Sequence, residues 1–517
     1  MYKFICILIL SIIQFLPCSA QQYFWVAYTQ KSTSLDKAPF FFSEKAIQNR
    51  EKQHLVWDAT DLPIDTDIVA WSEQQGEVLV HSRWLNASLI YSFKNLLEIA
   101  LPKKVKHVTI YTPKLNSQTA STIETNQNPT TALAQYQTNS LQGDSLFNRG
   151  FTGQGIRIAV FDVGFNGVEN HIAFQHLYAK GKMIKAKDFI RNKEGKTTGG
   201  SHGTSVLSCI AGYFGEQRTG LASDAEFLLA RTEHNNREPA AEEAYWLAAA
   251  EWADTQGANI ISSSLGYTYH RYLPSDMDGK TSLVARAATM ASKKGILVVN
   301  AMGNDGDNGW HYISTPADAD SVLSVGGIDP FTNSHISFSS YGPNNVGQLK
   351  PNVSAAGYAV CAKPNGGYAH MYGTSFATPL ISGLAACVWQ QHPEFTNMQL
   401  KAFLESKGHL APYFDYAVGY GVPQVFYSKK GDKPHYRLDE NELRVSRQET
   451  GIKPGFYANV NKSDALYVSV NDDSGKLTYY YTYHLTDPTT SIYLPELPTK
   501  GKLKLFYKGN YEIISLP

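Results

Sequence analysis

Short apolar runs recur along the middle of this 517-residue chain. GIRIAVFD (155–162), AEFLLART (225–232), ANIISSSLG (258–266), GILVVNAMGN (295–304) and SVLSVGG (321–327) are rich in Ala, Ile, Leu, Val and Phe. A strand solvated on one face alternates apolar and polar residues. An almost unbroken apolar strand is covered on both faces, as in a parallel sheet. Helical patterns lie between the runs, clearest in PAAEEAYWLAAAEWADTQG (239–257) and SLVARAATMASKKG (282–295). This repetition predicts an α/β fold, a parallel sheet with helices on both faces. In such sheets functional side chains gather at the carboxyl ends of the strands.

Composition narrows the rest. Apolar residues make up 43% of the chain, enough for a large core, and Lys+Arg and Asp+Glu number 46 each. With zero net charge and no basic run, no nucleic-acid partner is expected. Residues 1–20, MYKFICILILSIIQFLPCSA, carry Lys3, an apolar run from Phe4 to Leu16, and then small residues. That is the order of a cleaved signal peptide, shorter than the about 20 apolar residues of a membrane span. An exported protein with no membrane span after signal cleavage is expected, its destination periplasmic, cell-surface or extracellular. Cys6 and Cys18 fall in this leader. Cys209, Cys361 and Cys387 are too widely spaced for a disulfide framework or a zinc site. Each lies among apolar or small residues, so buried thiols are expected, though one pair could bridge in an oxidising compartment.

The chain reads as successive units. Residues 21–112 mix short strands and helices in an α+β pattern. Residues 113–137, TPKLNSQTASTIETNQNPTTALAQY, have a linker composition. The α/β region spans 138–428. In 429–517, DALYVSV, LTYYYTYHL and KLKLFYKGNYEIISLP read as short strands of a small β-sandwich, with the tyrosines expected to pack on the sheet.

Four short motifs in the α/β region lie at strand ends or helix starts. FDVGF ends a strand at Asp162, SHGTS opens a helix at His202, AMGNDG follows a strand with Asn304, and GTSFATP opens a helix with Ser375. Taken singly each has a plain structural reading. Asp after a strand is a turn former, Asn beside Gly marks a turn, and Gly-Thr-Ser followed by Pro is an ordinary helix opening. Those readings do not account for all four together, in this order, within one α/β unit.

The set resembles the subtilisin-like serine proteases, carried by TGQGIRIAVFDVGF, SHGTSVLSCIAG, NIISSSLGY, VVNAMGN, KPNVSAAG and GTSFATPLISGLAA across roughly 138–425. The chain order Asp, His, Ser separates this family from two other triad lineages. The resemblance implies a serine endopeptidase that works through an acyl-enzyme. Asp162 would orient His202, His202 would activate Ser375, and Asn304 would donate to the oxyanion. Ser264, Leu265 and Gly266 would pair with an extended polypeptide substrate, and Ala301, Met302 and Gly303 would form the facing wall of the pocket. Two flanks depart from the family pattern. Val163 stands where Ser or Thr usually follows the aspartate, and Asn352 stands where Asp is common. Met302 is bulkier than expected and points to a narrowed or reshaped pocket.

FSEKAIQNREKQ, DATDLPID and SRWLN are similar to the prosegments of Bacteroidetes-type subtilases. This implies a zymogen whose N-terminal unit packs on the enzyme and is removed by self-processing. The ending GNYEIISLP loosely resembles the sorting tails of type IX-secreted proteins. The family works without a cofactor, though structural calcium is common in it. DGDNG (305–309) reads as a turn, and no specific metal site is expected.

Overall fold

The computed structural model describes residues 21–111, 123–124, 128–235, 239, 241–269, 271–426, 433–447, 465–485 and 487–516. The leader and most of the expected linker lie outside them. The described residues form two compact units, one from 21–33 with 63–111, the other from 34–62 with the described residues after 112.

The first unit is a four-stranded antiparallel sheet, spatial order 77–82, 87–92, 22–28, 105–111, with the helix Thr66–Glu73 beside it. Strand 22–28 buries alternate residues, so Phe24, Val26 and Tyr28 face a core shared with Ile64, Ile68 and Ile90.

The second unit is built on eight strands: β1 Arg157–Asp162, β2 Met183–Asp188, β3 Lys193–Glu194, β4 Glu226–Arg231, β5 Ile260–Ser263, β6 Leu297–Ala301, β7 Leu323–Ile328 and β8 Val353–Ala356. Their spatial order is β8-β7-β6-β5-β1-β4-β2-β3, and every pairing is parallel except the β2–β3 hairpin. The α/β expectation holds. Ile158 on β1 sits between Phe227 on β4 and Ile260 on β5, all three fully buried.

Four helices matter for the site: α1 His202–Ala211, α2 Ala241–Thr255, α3 Leu283–Lys293 and α4 Thr374–Gln391. Helices α1 and α4 pack together on the sheet face lined by Ile158 and Val160. Phe161, pointing the other way, meets Trp246 of α2 edge-on at 5.3 Å. Helices therefore cover both faces, which is why β1 is apolar throughout. The chain enters the sheet at its centre, moves out to β2, returns to β4, and then walks outward through β5 to β8. The carboxyl ends of β1, β5 and β6 thus lie side by side, beneath the residues read as functional.

The linker expectation needs correction at its end. Thr131–Asn139 is a helix, and its Gln137 is fully buried. The Gln137 amide donates to Thr219 O (2.7 Å) and accepts from the Val360 N–H (2.8 Å). A buried amide with both partners met looks, in composition, like a linker glutamine. The C-terminal strands form two antiparallel sheets, 435–439/442–446/489–493 and 477–484/465–472/501–507/510–516. Leu443, Val445 and Ile492 of one sheet share a core with Leu466, Val468, Leu503 and Leu505 of the other, which makes a sandwich. Tyr479 and Tyr483 pack against this core, while Tyr467 and Phe506 join the core of the α/β region.

Candidate active site

Asp162 is the last residue of β1 and is fully buried. Its two carboxylate oxygens each lie 2.9 Å from His202 Nδ1, and the Val163 N–H donates to Oδ1 at 2.8 Å. This arrangement makes Nδ1 the protonated ring nitrogen and leaves Nε2 as an acceptor. His202 opens α1, and its side chain is 19% exposed, so the ring reaches the surface while the carboxylate does not. Burial pushes the imidazole toward its neutral form. The charge and hydrogen bond of Asp162 outweigh it and leave His202 above its usual 6.5.

Ser375 is the second residue of α4, with 4% exposed. The ring of the next residue, Phe376, lies 5.7 Å centroid to centroid from His202, so this helix start sits beside the imidazole. Ser375 Oγ faces Ser264 O at 3.5 Å, a contact too long to hold the hydroxyl firmly. The turn before it needs glycine, since Gly373 has φ +149°. Pro379 is the sixth residue of α4, past the first turn in which proline is tolerated without loss. With no N–H at 379, the Ser375 carbonyl has no helical donor. Ser264 Oγ supplies one at 2.8 Å. The pairing joins the end of the β5 segment directly to the helix start.

The amide of Asn304 has its orientation set by a neighbour. The Thr374 N–H and hydroxyl both reach Asn304 Oδ1, at 2.9 and 2.8 Å. The oxygen must accept there, so Nδ2 points the other way, 3.4 Å from where a Cβ on Gly373 would stand. The Ser375 N lies 3.6 Å from the same point, so Asn304 Nδ2 and the Ser375 N–H flank one small region, an arrangement suited to a developing negative charge.

A family model of the subtilase family (peptidase S8) matches residues 153–421, and a Bacteroidota peptidase S8 propeptide model matches 23–129. This chain belongs to the subtilase family. Subtilisin BL of Lederbergia lenta is 30% identical to it over 268 residues, 52% of this chain and 88% of that protein. M-protease of Shouchella clausii (strain KSM-K16) is 30% identical over 271 residues, covering 52% of this chain and 62% of the relative. Among solved structures, the S41 psychrophilic protease aligns with 53% of this chain and 93% of its own at 25% identity, with a TM-score of 0.45. The protein is thus a subtilisin-like serine peptidase carrying a propeptide domain.

The segments read as substrate walls in this subtilase follow β5 and end β6. Ser264 is buried, and Leu265 O accepts from Asn300 Nδ2 at 2.9 Å, which ties the two walls together. Ala301 ends β6, and Met302 is fully buried against Met277, Trp310, Ile313 and Ala317. The methionine side chain therefore packs into the core behind its wall. A segment outside every motif recognised in the sequence runs across both strand ends. Ser314 N–H donates to Met302 O (3.0 Å), and Tyr267 and Thr315 exchange backbone hydrogen bonds (3.0 and 3.2 Å). A Cβ added at Gly266 would stand 2.4 Å from Ser314 Oγ, so glycine there makes room for this crossing, while one added at Gly303 would stand 2.7 Å from Ser340 Oγ. Ser314 has no sequence signature that would have singled it out, and Asn300 lies within VVNAMGN with no role assigned to it there.

The departures in this subtilase have local explanations. Val163 is buried, with its carbonyl accepting from Arg231 Nε at 3.0 Å, so the position is held by its backbone. Asn352 accepts from Ser324 N–H (2.8 Å) and donates from Nδ2 to Glu405 Oε1 (2.7 Å). An aspartate there would set a second carboxylate against Glu405. In DGDNG, Asp305 accepts from Asn308 Nδ2 within the turn (2.6 Å), and Asp307 accepts from the Ser337 hydroxyl (3.2 Å). Among the described residues no three His, Cys, Asp or Glu side chains converge as a metal-binding group, and no helix is long and apolar enough to cross a membrane.

The propeptide segment 34–62 sits in the same compact unit as the catalytic sheet. Its helix Glu44–Lys52 is capped by Ser43 Oγ, which accepts from the Ala46 N–H. Arg50 Nη2 bridges Asp61 at 2.8 Å and Asp254, near the end of α2, at 3.2 Å. Lys294, just after α3, reaches Asp58 at 3.0 Å and Asp61 at 2.9 Å. Asp61 is fully buried, and Arg50, Asp254 and Lys294 are nearly so.

Proposed function

We propose that this subtilase is an exported endopeptidase, made as a precursor that cuts itself free of its prosegment and hydrolyses polypeptides through Asp162, His202 and Ser375. The observation that carries the reading is the His202 imidazole, held through Nδ1 by a fully buried carboxylate beside the helix start that presents Ser375. Ser375 Oγ turns from Ser264 O toward His202 Nε2 when substrate binds. His202 takes its proton as Oγ attacks the scissile carbonyl, then passes that proton to the departing amine. Asp162 keeps the ring in its working tautomer and stabilises the imidazolium. Asn304 Nδ2 and the Ser375 N–H bind the oxyanion. A water molecule repeats the sequence on the acyl-enzyme and frees the acid product.

An extended substrate pairs with the backbone at Ser264–Gly266, and the side chain before the scissile bond enters between this segment and Ala301–Gly303. The segment 34–62, docked through Arg50 and Asp61, supports prosegment retention before cleavage. The apolar run Phe4–Leu16 after Lys3 supports export. Expression of the precursor and its Ser375→Ala variant tests the proposal. Wild type should lose the prosegment and react with a fluorophosphonate probe, while the variant does neither. Equal processing in both removes self-cleavage, and an unlabelled wild type removes the serine mechanism.

A further inference from the structure

Two buried cysteines meet where the His202 helix packs against the strand that leads toward Ser375. Cys209 lies near the end of α1, and Cys361 lies in the strand Tyr358–Ala362, here β9. Strand β9 pairs with Tyr368–Tyr372, which runs directly into the Gly373 turn. Both cysteines are fully buried, and their sulfurs are 3.6 Å apart. The backbones around them are pinned from α1. Ser205 Oγ donates to Ala362 O at 2.8 Å, and the Ala362 N–H donates to Ser208 Oγ at 3.0 Å. The other acceptor near Cys361 is Ala359 O at 3.7 Å, a weak sulfur contact. Cys387 is placed differently, donating to Leu221 O at 3.4 Å from within α4.

A disulfide requires sulfurs about 2.05 Å apart, so the pair, at 3.6 Å, has roughly 1.5 Å to close. Two thiols facing each other gain little, because S–H is a weak donor. We propose that Cys209 and Cys361 form a disulfide that fastens the His202 helix to β9, the partner of the strand feeding the Ser375 turn, wherever the chain folds in the presence of a disulfide oxidant. The Cys209 thiolate attacks the oxidant's disulfide and expels one thiolate. The Cys361 thiolate then attacks the Cys209 sulfur of the mixed disulfide and expels the second. Two protein thiols become one S–S bond, and the oxidant gains two electrons and two protons as a pair of thiols.

The bond forms during folding. Once α1 has packed, burial and the neighbouring sulfur push the Cys361 thiol well up, and the thiol form does not exchange. Closure then spans the chain from α1 to β9, including β4 to β8, so it restricts the unfolded ensemble strongly. Slower unfolding protects a protease from digestion by its own active copies.

The test uses the chain from Gln21 onward carrying Ser375→Ala, which prevents self-digestion and leaves Cys209, Cys361 and Cys387 as its cysteines. It is refolded from denaturant with a mixture of oxidised and reduced glutathione, and in parallel produced by secretion into an oxidising medium. The folded fraction of each is unfolded in acid, alkylated without reduction, and mapped by mass spectrometry. The expected result is a Cys209–Cys361 linked peptide, lighter by two hydrogens than the two separate peptides, with Cys387 alkylated. Cys387→Ala should keep the link, and Cys361→Ala should leave Cys209 alkylated. Alkylation of all three cysteines in the folded chain from both routes overturns the proposal. So does a link that involves Cys387.

Discussion

Replacing Ser264 by Ala should damage the helix start that presents Ser375, and a second substitution, Pro379→Ala, should repair it. The Ser375 carbonyl is buried and lacks an N–H donor within α4 because residue 379 is proline. Ser264 Oγ, 2.8 Å away, takes the place of that donor. A buried acceptor left without a donor costs about 1–3 kcal/mol. For a domain of a few hundred residues this lowers Tm by about 2–4 °C per kcal/mol. The same loss loosens the first turn of α4, and displacement of a reacting group by an ångström costs up to about 10²-fold in rate. Pro379→Ala supplies an N–H four residues after Ser375, aimed at the orphaned oxygen. Tm is read by calorimetry in the Ser375→Ala background, and kcat/KM on a peptide substrate with the serine intact. The double variant should be more stable than the sum of the single effects predicts, by about 1 kcal/mol or more. Strict additivity, or an unchanged kcat/KM in Ser264→Ala, would refute the assignment of that carbonyl to the hydroxyl.

Asn304→Ala removes one oxyanion donor and should lower kcat about 10²–10³-fold with little change in KM, a magnitude taken from subtilisin itself. The acid limb of kcat/KM should lie above 6.5, because the catalytic base must be neutral and Asp162 holds His202 above that value against its burial. The sign for stability is opposite. A raised histidine stabilises the fold fully below 6.5, and that contribution fades as pH rises through the folded-state value, which denaturant melts at stepped pH will detect. Arg50→Ala deprives two buried carboxylates of their guanidinium, at about 3–5 kcal/mol. Hydrogen exchange in the Ser375→Ala precursor should then speed up over residues 44–52 by about 10²-fold or more, and a change below tenfold would count against the ion network as the anchor of this segment.

The comparison of chain and fold divides along physical lines. Strands β1 and β4 to β7 can be read directly because burial on both faces forces a continuous apolar run, which is a local signal. The helix opening at Gly373 is equally local, since a positive φ selects glycine. Asp162, His202, Asn304 and Ser375 could be named because their motifs sit at strand ends and helix starts in a recognisable order. Composition misled where a polar residue is buried with its partners, as with Gln137 in the expected linker. Ser264 donating to Ser375 O, Ser314 against Gly266, Cys209 against Cys361, and Arg50 reaching Asp254 all join segments far apart in the chain. No residue preference near either partner encodes such a meeting. It exists only once the sheet order has brought the carboxyl ends of β1, β5 and β6 together and laid α1 against α4.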